Sequence, residues 1–346
     1  MAIDYTQSYV STWMLSRLDP LTWVPVDKVE RLFSFSLDKD GTDSVPLLET
    51  GNAEIGLTTG EEFVPGWYQL SMIVEQPGTG YDIEPIATLW FESAKGTVTG
   101  ENDKVSIDGK SVLYPASTTI LSAGSYAPKG VDGASHCGKL LRGCGPAPVH
   151  VEGSFTLDDY YVFGEETSVL EAVWMLLDAG GFCIQLDGDG AINIRPKPSD
   201  PSLVVNRQTA AILGASYDYT FDRSTVHNVY IAVEGGFRAI AVNDDPTSPT
   251  STVSRGFEVT LVDTSPIRVN GETLQTYAER KLMEERTNVE RILVYNREYW
   301  PGVEPFSIVR WHTGDGYPQD LTVKSQTLTI GNGILVKETA VAYVEE

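Results

Sequence analysis

The sequence predicts a mainly β protein with a small α+β insert in the middle of the chain. Its 346 residues include 32 glycines and 19 prolines, together with many Thr, Val and Tyr residues, a composition typical of short strands joined by many turns. Apolar and polar residues alternate repeatedly in the first and last thirds of the chain, whereas helical spacing is clear in only two segments. We therefore expect barrels or sandwiches and not a helical bundle.

The length of the chain predicts two or three domains, and residues 1–109 form the first of them. Residues 32–37 alternate apolar and polar side chains, as a half-buried strand does. Residues 67–74 and 86–91 have the composition of longer strands. No convincing helix is predicted in this domain.

The middle domain, residues 110–205, is predicted to be α+β. Ser168 precedes Glu171 by three residues, which is the spacing of a capping box, and two glycines at positions 180 and 181 end the predicted helix. The apolar face of this helix consists of Val169, Ala172, Val173, Leu176 and Leu177. A shorter apolar turn is expected at residues 137–141.

A β-hairpin is predicted directly after the helix. Residues 182–186 and 192–194 alternate apolar and polar side chains on the two sides of an Asp-Gly-Asp-Gly turn at residues 187–190. The turn imitates the start of a calcium loop, but a calcium loop has Glu at its twelfth position, which is Pro198 here. We therefore predict a turn that uses the conformational tolerance of Asp and Gly, and we expect the helix, including Trp174, to pack against the hairpin.

Residues 206–346 are predicted to form the last domain, with one helix at residues 273–286. One face of this helix carries Leu274, Tyr277, Ala278 and Leu282. The predicted strands are residues 226–234, 237–242, 256–261, 292–296, 306–311, 321–330 and 334–343. A Gly-Asn-Gly turn at residues 331–333 predicts that the last two form a hairpin.

The order of these segments resembles that of phage tail hub and baseplate hub proteins, the group that includes late control protein D. Residues 109–115 (GKSVLYP) and 124–130 (GSYAPKG) precede the helix and hairpin. Residues 227–235 (HNVYIAVEG) and an acidic, proline-containing loop at residues 243–249 (NDDPTSP) follow them. The similarity covers most of the chain, and it rests on the order of these diffuse motifs.

The resemblance implies a fold and a role. It implies two hub-type β-barrel domains, residues 1–109 and 206–346, that flank the α+β insert, although no alignable repeat relates them in sequence. It also implies a homotrimer whose six similar barrels stack on a sixfold tail tube. The implied partners are the tail tube or a distal tail protein, spike, fibre or tail tip proteins, and the tape-measure protein. The expected location is the virion tail tip or baseplate, after synthesis in the host cytoplasm, with DNA passing through the ring during ejection.

The charge of the chain argues against a protein that grips nucleic acid. The sequence has 48 acidic and 25 basic residues, a formal net charge of −23, and no cluster of Lys and Arg that would bind phosphates. An acidic channel would let DNA slide past, whereas an acidic surface could equally serve solubility alone.

Three cysteines leave one unpaired, which predicts a reducing compartment. We expect no signal peptide and no membrane-spanning segment, because no apolar run is long enough.

Neither a metal nor a cofactor is predicted. His136, Cys137, Cys144 and His150 lie within fifteen residues. However, six residues separate the two cysteines, whereas structural zinc sites usually have two to four. We interpret these cysteines as core or turn residues. No glycine-rich phosphate loop is present either.

The sequence also predicts no catalytic residues, and the protein is not expected to be an enzyme. The adjacent carboxylates are Glu61 and Glu62, Asp158 and Asp159, and Glu165 and Glu166. Neighbouring side chains on a strand point to opposite faces, so such pairs do not form a facing acid and nucleophile. There is no G-x-S-x-G motif, and His136, His150, His227 and His312 lack a recognisable nucleophile partner. His227 is expected to cap or pack at the start of a strand. The last strand ends close to Glu346, so no lytic domain is expected after it.

Aromatic residues provide the main alternative to a structural role. Tyr295, Tyr299 and Trp300 lie close together beside Pro301 and Gly302. They could stack on a glycan, or they could be buried in the core or at a subunit interface, which we favour. The favoured function is a structural hub. A carbohydrate-binding host-recognition module and a cell-wall-degrading enzyme remain the second and third hypotheses.

Overall fold

The computed structural model describes all of the chain except residues 1–9, 42–47, 58–61, 79, 100–101, 207–222, 288–289, 313–318, 331–333 and 344–346. The strands of the first part are β1 (Val10–Leu18), β2 (Pro25–Lys28), β3 (Arg31–Asp40), β4 (Leu48–Leu57), β5 (Gly66–Gln76), β6 (Gly80–Thr99) and β7 (Asn102–Ser111). The middle part contains α1 (Tyr114–Thr118), β8 (Tyr126–Ala127), α2 (Gly133–Arg142), β9 (Val149–Val151), β10 (Tyr161–Val162), α3 (Val169–Ala179), β11 (Phe182–Leu186) and β12 (Ile192–Pro196).

The remaining elements complete the chain. They are β13 (Pro201–Asn206), β14 (Val229–Glu234), β15 (Phe237–Val242), α4 (Thr252–Arg255), β16 (Thr260–Asp263), α5 (Leu274–Thr287), β17 (Glu290–Glu298), β18 (Ile308–His312), β19 (Gln319–Ile330) and β20 (Ile334–Tyr343). The fold is mainly β with few helices, as the sequence predicts. None of the described helices is long and apolar enough to span a membrane.

A large sheet joins the first strands of the chain to the last ones. Within the described residues it contains twelve strands, in the order β13-β18-β19-β3-β4-β7-β6-β5-β1-β2, and β20 and β17 extend from the other edge of β19. The connection is the antiparallel pairing of residues 325–329 of β19 with residues 36–40 of β3. The two strand-rich segments therefore share one sheet. The division of the chain at residues 109 and 205 stays a prediction.

The first part of this sheet curls around its own core. β1 contacts β3 at the far end of the run of strands, so the run bends back on itself. Glycines allow the tight packing: a Cβ on Gly51 would lie 2.3 Å from Leu89 Cδ1, and one on Gly109 would lie 2.7 Å from Phe91 Cε1. Leu89 and Phe91 thus fill space that a larger residue on β4 or β7 would occupy.

The closing strands β17–β20 enclose a second core. It contains nine buried residues, Leu293, Tyr295, Val303, Val309, Trp311, Leu321, Val323, Ala340 and Ala342. β17 and β19 extend slightly beyond the predicted strands, β18 begins two residues later than predicted, and β20 coincides with the predicted residues 334–343. The predicted hairpin turn at residues 331–333 lies outside the described residues.

The insert has the predicted helix and hairpin. Ser168 Oγ accepts a 3.2 Å hydrogen bond from Glu171 N, and Glu171 Oε2 accepts a 2.7 Å bond from Ser168 N, so the capping box is formed. β11 and β12 pair antiparallel, as the predicted hairpin requires, and β9 adds to β12 in parallel. The predicted short turn at residues 137–141 is the end of a longer helix, α2, whose N-cap Asp132 accepts a bond from Ala134 N.

Residues 223–287 form a smaller unit with its own sheet. Its strand order is β15-β14-β16, whereas the sequence analysis assigned these strands to the last barrel. α5 covers one face of this sheet, where Tyr277, Ala278 and Leu282 pack on Tyr230, Ala239 and Ala241. This explains the difference, because α5 and not the closing strands buries this face. The predicted apolar side of α5 is confirmed.

Candidate functional site

The turn of the β11–β12 hairpin contacts the first part of the large sheet. Trp23 Nε1 donates a 2.8 Å hydrogen bond to Asp189 O, and Thr88 Oγ1 donates a 2.9 Å bond to Gly188 O. A Cβ on Gly188 would lie 2.0 Å from Pro85 O, so glycine is required for this approach. The Asp-Gly-Asp-Gly turn is therefore a tertiary contact, whereas the sequence analysis explained it by turn geometry alone.

A second contact joins α3 and β11 to the loop before β18. Trp174 is 9% exposed, and its ring centroid lies 5.7 Å from that of Phe306. Gln185 Nε2 donates a 3.1 Å bond to Pro305 O. Cys183 belongs to the same cluster, and burial raises the pKa of its thiol to about 11. The predicted burial of Trp174 is confirmed, and the ring packs against Phe306 in the loop before β18 as well as against the hairpin.

A buried lysine and two carboxylates lie where β3 and β4 meet the same loop. Lys39 Nζ lies 2.6 Å from Glu304 Oε2 and 3.4 Å from Glu49 Oε1. Burial raises the pKa of Glu49 to about 7, although Lys39 partly opposes this. Burial also raises the pKa of Glu304. Burial disfavours the charged form of Lys39, but the two carboxylates outweigh it and raise the lysine pKa.

A second buried ion pair continues this group into the closing strands. Arg297 Nε and Gln326 Nε2 donate bonds of 2.9 and 2.8 Å to Glu338 Oε2, and the Tyr295 hydroxyl donates to Glu338 Oε1. Burial and the charge of Glu338 raise the pKa of Tyr295 well above its usual value. Gln326 also donates a 2.9 Å bond to Val303 O, so the polar groups of the pair are satisfied.

We call these charged residues the ionic seam: Lys39, Glu49, Glu304, Arg297 and Glu338. It connects β3 and β4 with β17, β20 and the loop before β18. Its members are far apart in the sequence, with 265 positions between Lys39 and Glu304, and no local motif marks them. The ionic seam is therefore not predictable from the sequence.

The aromatic loop near residue 300 is packed into the protein. Tyr295 and Tyr299 are buried, and the Tyr295 ring meets the Trp311 ring edge-on at 5.1 Å. Trp300 is half-buried against the core of the closing strands. Core burial, the favoured interpretation of these residues, is confirmed for Tyr295 and Tyr299.

The four candidate zinc ligands are dispersed. Cys137 is buried and its Sγ lies 3.8 Å from Val173 O, and burial raises the pKa of its thiol. Cys144 Sγ donates to the carbonyl one helical turn earlier, while His150 is exposed on β9. His136 is half-buried, and burial lowers its pKa. Across the described part of the chain, no three His, Cys, Asp or Glu side chains are grouped to hold a metal ion.

The adjacent carboxylates have structural contacts or face solvent. Asp158 accepts bonds of 2.7 and 2.9 Å from Gly271 N and Glu272 N, ahead of α5. Asp159 Oδ2 accepts a 3.4 Å bond from Arg268. Glu62, Glu165 and Glu166 are exposed, and Glu61 lies outside the described residues. Asp158 and Asp159 thus contribute to the contact between the insert and the unit of residues 223–287.

The side chain of His227, just before β14, packs as the sequence predicts. His227 Nδ1 lies 2.7 Å from Glu285 Oε2 on α5. This contact connects the unit's sheet to its helix. His312 belongs to β18.

Two exposed tyrosines form a surface feature that the sequence analysis missed. Tyr126 on β8 and Tyr160 just before β10 are 51% and 61% exposed, and their ring centroids lie 6.0 Å apart. Val162 on β10 is 74% exposed beside them. A groove of about 320 Å³ is lined by Tyr126 of this pair, together with Phe163 and His136.

Comparisons by sequence alone identify no relative. No protein-family model matches the chain, and no curated protein matches it. The evidence for relatives therefore comes from the fold.

Solved structures of phage tail proteins share this fold from end to end. A tail protein of Neisseria meningitidis MC58 matches with a TM-score of 0.65 and 12% identity, covering 96% of each chain. The 43 kDa tail protein of prophage MuSo2 from Shewanella oneidensis matches with a TM-score of 0.62 and 10% identity, covering 95% of this chain and 97% of that one.

A secretion-system protein is similar as well. The Escherichia coli c3393 protein, a type VI secretion component described as similar to the T4 tail proteins gp27 and gp5, matches with a TM-score of 0.53 and 12% identity. The match covers 91% of this chain and 74% of that one. The chain therefore has the fold of these phage tail proteins, which confirms at the level of the fold the resemblance indicated by the order of its sequence motifs.

Proposed function

We propose that the protein is the structural hub of a bacteriophage tail tip or baseplate. In this proposal three copies form a ring that adapts the sixfold tail tube to a threefold spike or fibre and surrounds the channel for DNA ejection. The observation that carries the proposal is the shared fold, which extends over 96% of this chain and 96% of the Neisseria tail protein. An end-to-end likeness supports a role in the tail itself, because the whole fold and not one isolated part of it is shared.

The polar groups of the described residues support a structural role without catalysis. The ionic seam joins strands, Asp158 accepts two backbone bonds before α5, and His227 contacts Glu285. These groups are engaged in holding elements together, whereas a catalytic acid or base needs access to substrate. The proposed location is the virion tail, with the tube or distal tail protein on one side and spike, fibre or tip proteins on the other.

Sedimentation equilibrium over a wide concentration range tests the ring. We expect a trimer, either in solution at high concentration or in the assembled particle, because the ring requires three copies. A particle map in which this chain is located gives the copy number directly. Only monomer in solution, combined with one or six copies in the particle, would contradict the proposal.

The exposed tyrosine pair favours one alternative, a carbohydrate-binding host-recognition module. Tyr126 and Tyr160 present aromatic surface beside a groove, and such surface stacks on sugar rings. Binding of purified host cell-wall glycan, lost in Tyr160→Ala but kept in an exposed control variant such as Tyr81→Ala, would support this alternative. Absence of glycan binding together with a trimer supports the hub.

A further inference from the structure

Among the described residues, β15 is an edge strand of its sheet and lies next to α5. In the described part of the chain, β14 is the strand that pairs with β15. Asn243 N donates a 2.8 Å bond to Asn228 O, so the twofold alternation of a strand turns the backbone groups of Ile240 and Val242 away from β14. Gln275 Nε2 on α5 donates a 3.1 Å bond to Ile240 O, which confirms that this carbonyl faces the free edge.

A groove follows this edge. It has a volume of about 440 Å³ and lies between residues 240–243 and one side of α5. Leu282 is buried at its base, whereas Met283 is 57% exposed beside it. Two charged residues also line the groove, Glu279 and Arg286, and Arg286 Nη2 lies 3.5 Å from Asp245 Oδ2. An open strand edge with an apolar floor has the geometry that accepts an added strand.

The two faces of an added strand would meet different surroundings. Ala239 and Ala241 face α5 and are buried, so the side chains of Ile240 and Val242 lie on the opposite face, where they are 45% and 46% exposed. Every second side chain of an added strand would extend this apolar face. The alternate side chains would lie over α5, near Met283.

Glu279 indicates the charge of the occupant. Neighbouring charges on α5 are paired: Glu284 with Arg280, and Arg286 with Asp245. The uncharged amide of Gln275 donates a 2.9 Å hydrogen bond from Nε2 to Glu279 Oε1. Among the described residues, Glu279 forms no ion pair. A lysine or arginine on the α5 side of the added strand would complement this carboxylate. The net charge of −23 also attracts basic segments.

We propose that β15 and α5 form a docking site for an extended segment of a partner protein. The segment adds as a strand to the free edge of β15, with apolar residues beside Ile240 and Val242 and basic residues toward Glu279. Backbone bonds supply affinity, and the alternation of apolar and basic side chains supplies specificity. This inference does not depend on the trimeric ring.

The test uses the full chain and two labelled, end-blocked peptides. One alternates valine with lysine, and the other alternates valine with glutamate. We expect saturable binding of the lysine peptide in fluorescence anisotropy and much weaker binding of the glutamate peptide. Glu279→Lys should weaken binding of the lysine peptide about fivefold and strengthen binding of the glutamate peptide. Glu75→Lys makes the same charge change at an exposed position on β5 and should leave both affinities unchanged.

A backbone variant separates strand addition from simple charge attraction. Ile240→Pro removes an N–H group that points away from β14, and should weaken binding of the lysine peptide up to about tenfold. If Ile240→Pro fails to fold, the charge exchange at Glu279 still decides the question. Equal binding of both peptides, or affinities unchanged by Glu279→Lys, would overturn the proposal. Self-association that the lysine peptide does not inhibit and that Ile240→Pro abolishes would also overturn it, because the occupant would then be a second copy.

Discussion

The indole nitrogen of Trp23 donates a 2.8 Å hydrogen bond to the carbonyl oxygen of Asp189, which lies 166 positions away in the hairpin turn of the insert. Trp23 has a φ of 57°, a conformation that side chains other than glycine rarely adopt. Its ring also packs on Trp67, with centroids 5.6 Å apart. The loop between β1 and β2 is thus held in an uncommon conformation against the insert, which sets the position of the insert relative to the sheet.

Gly188→Ala should detach this contact. The new Cβ would lie 2.0 Å from Pro85 O, and backbone cannot move aside as a flexible side chain does. We expect a loss of about 1–3 kcal/mol in the free energy of unfolding, measured with urea. Gly145→Ala is the control, because its Cβ would have only an ordinary contact with Pro115, at 3.5 Å. Equal stability of the two variants would contradict the docking of the turn.

Local features of the insert could be predicted from the sequence because their signals are local. The capping box of Ser168 and Glu171 lies within four residues, and the β11–β12 hairpin has alternation on both sides of its turn. The predicted helix and hairpin differ little from the observed ones. The order of such segments was also sufficient to indicate the fold that the chain shares with phage tail proteins.

Long-range features left no such signal. The alternation of apolar and polar side chains at residues 32–37 predicts the strand β3. Nothing in this alternation predicts that β3 pairs with β19, which lies near the other end of the chain. The β4 and β7 segments contain Gly51 and Gly109, which normally weaken a strand prediction, and the close approach of Leu89 and Phe91 on β6 explains them. The ionic seam could not be predicted for the same reason, because its charged residues come together only in the folded chain.

Trp174→Ala should cost about 3–5 kcal/mol of the free energy of unfolding, because a buried aromatic ring is lost and a cavity remains. Met175→Ala on the same helix is the control, since Met175 is 44% exposed and should change stability much less. Urea denaturation of both variants gives the comparison. A Trp174→Ala variant as stable as the parent would refute the packing described above.

The contact between Trp174 and Phe306 predicts energetic coupling between the insert and the last part of the chain. Their ring centroids lie 5.7 Å apart, and contacting aromatic pairs contribute about 0.5–1.5 kcal/mol beyond burial. A double-mutant cycle with Trp174→Ala and Phe306→Ala should therefore show a coupling energy of this size. Additive effects of the two substitutions would mean that the rings act independently.

Glu49 should make the protein less stable as the pH rises from about 4.5 to about 7. Its pKa is 4.5 as a reference and about 7 in the folded protein, so the folded state holds a proton across this window that the unfolded state has released. Above about pH 7 Glu49 is ionised in both the folded and the unfolded state. The contribution of roughly 3 kcal/mol that its bound proton makes to the free energy of unfolding is then lost. The raised pKa of Glu304 acts in the same direction. Unfolding midpoints measured along the pH scale provide the check.

Glu49→Gln isolates this contribution. Glutamine keeps the size of the side chain and cannot ionise, so the fall in stability between about pH 4.5 and 7 should be smaller in the variant. Glu92→Gln, at an exposed position on β6, is a suitable control because its replacement should preserve the pH profile of the parent. An unchanged profile in Glu49→Gln would show that this carboxyl does not titrate in the window.

The charge pattern predicts that the protein does not retain duplex DNA, as a conduit for ejection requires. The net charge is −23, and several exposed or half-exposed basic side chains are already paired with carboxylates. Examples are Lys104 with Glu54 at 2.6 Å, Lys197 with Asp178 at 2.8 Å, and Arg310 with Asp320 at 2.7 Å. Cations that are paired with a carboxylate contribute less to counterion release from DNA. At about 50 mM salt, where attraction is weakly screened, we expect no measurable binding at about 10 µM protein. Micromolar binding that weakens steeply as salt rises would mean that basic residues concentrate on one surface, and the proposed channel would then hold DNA instead of releasing it.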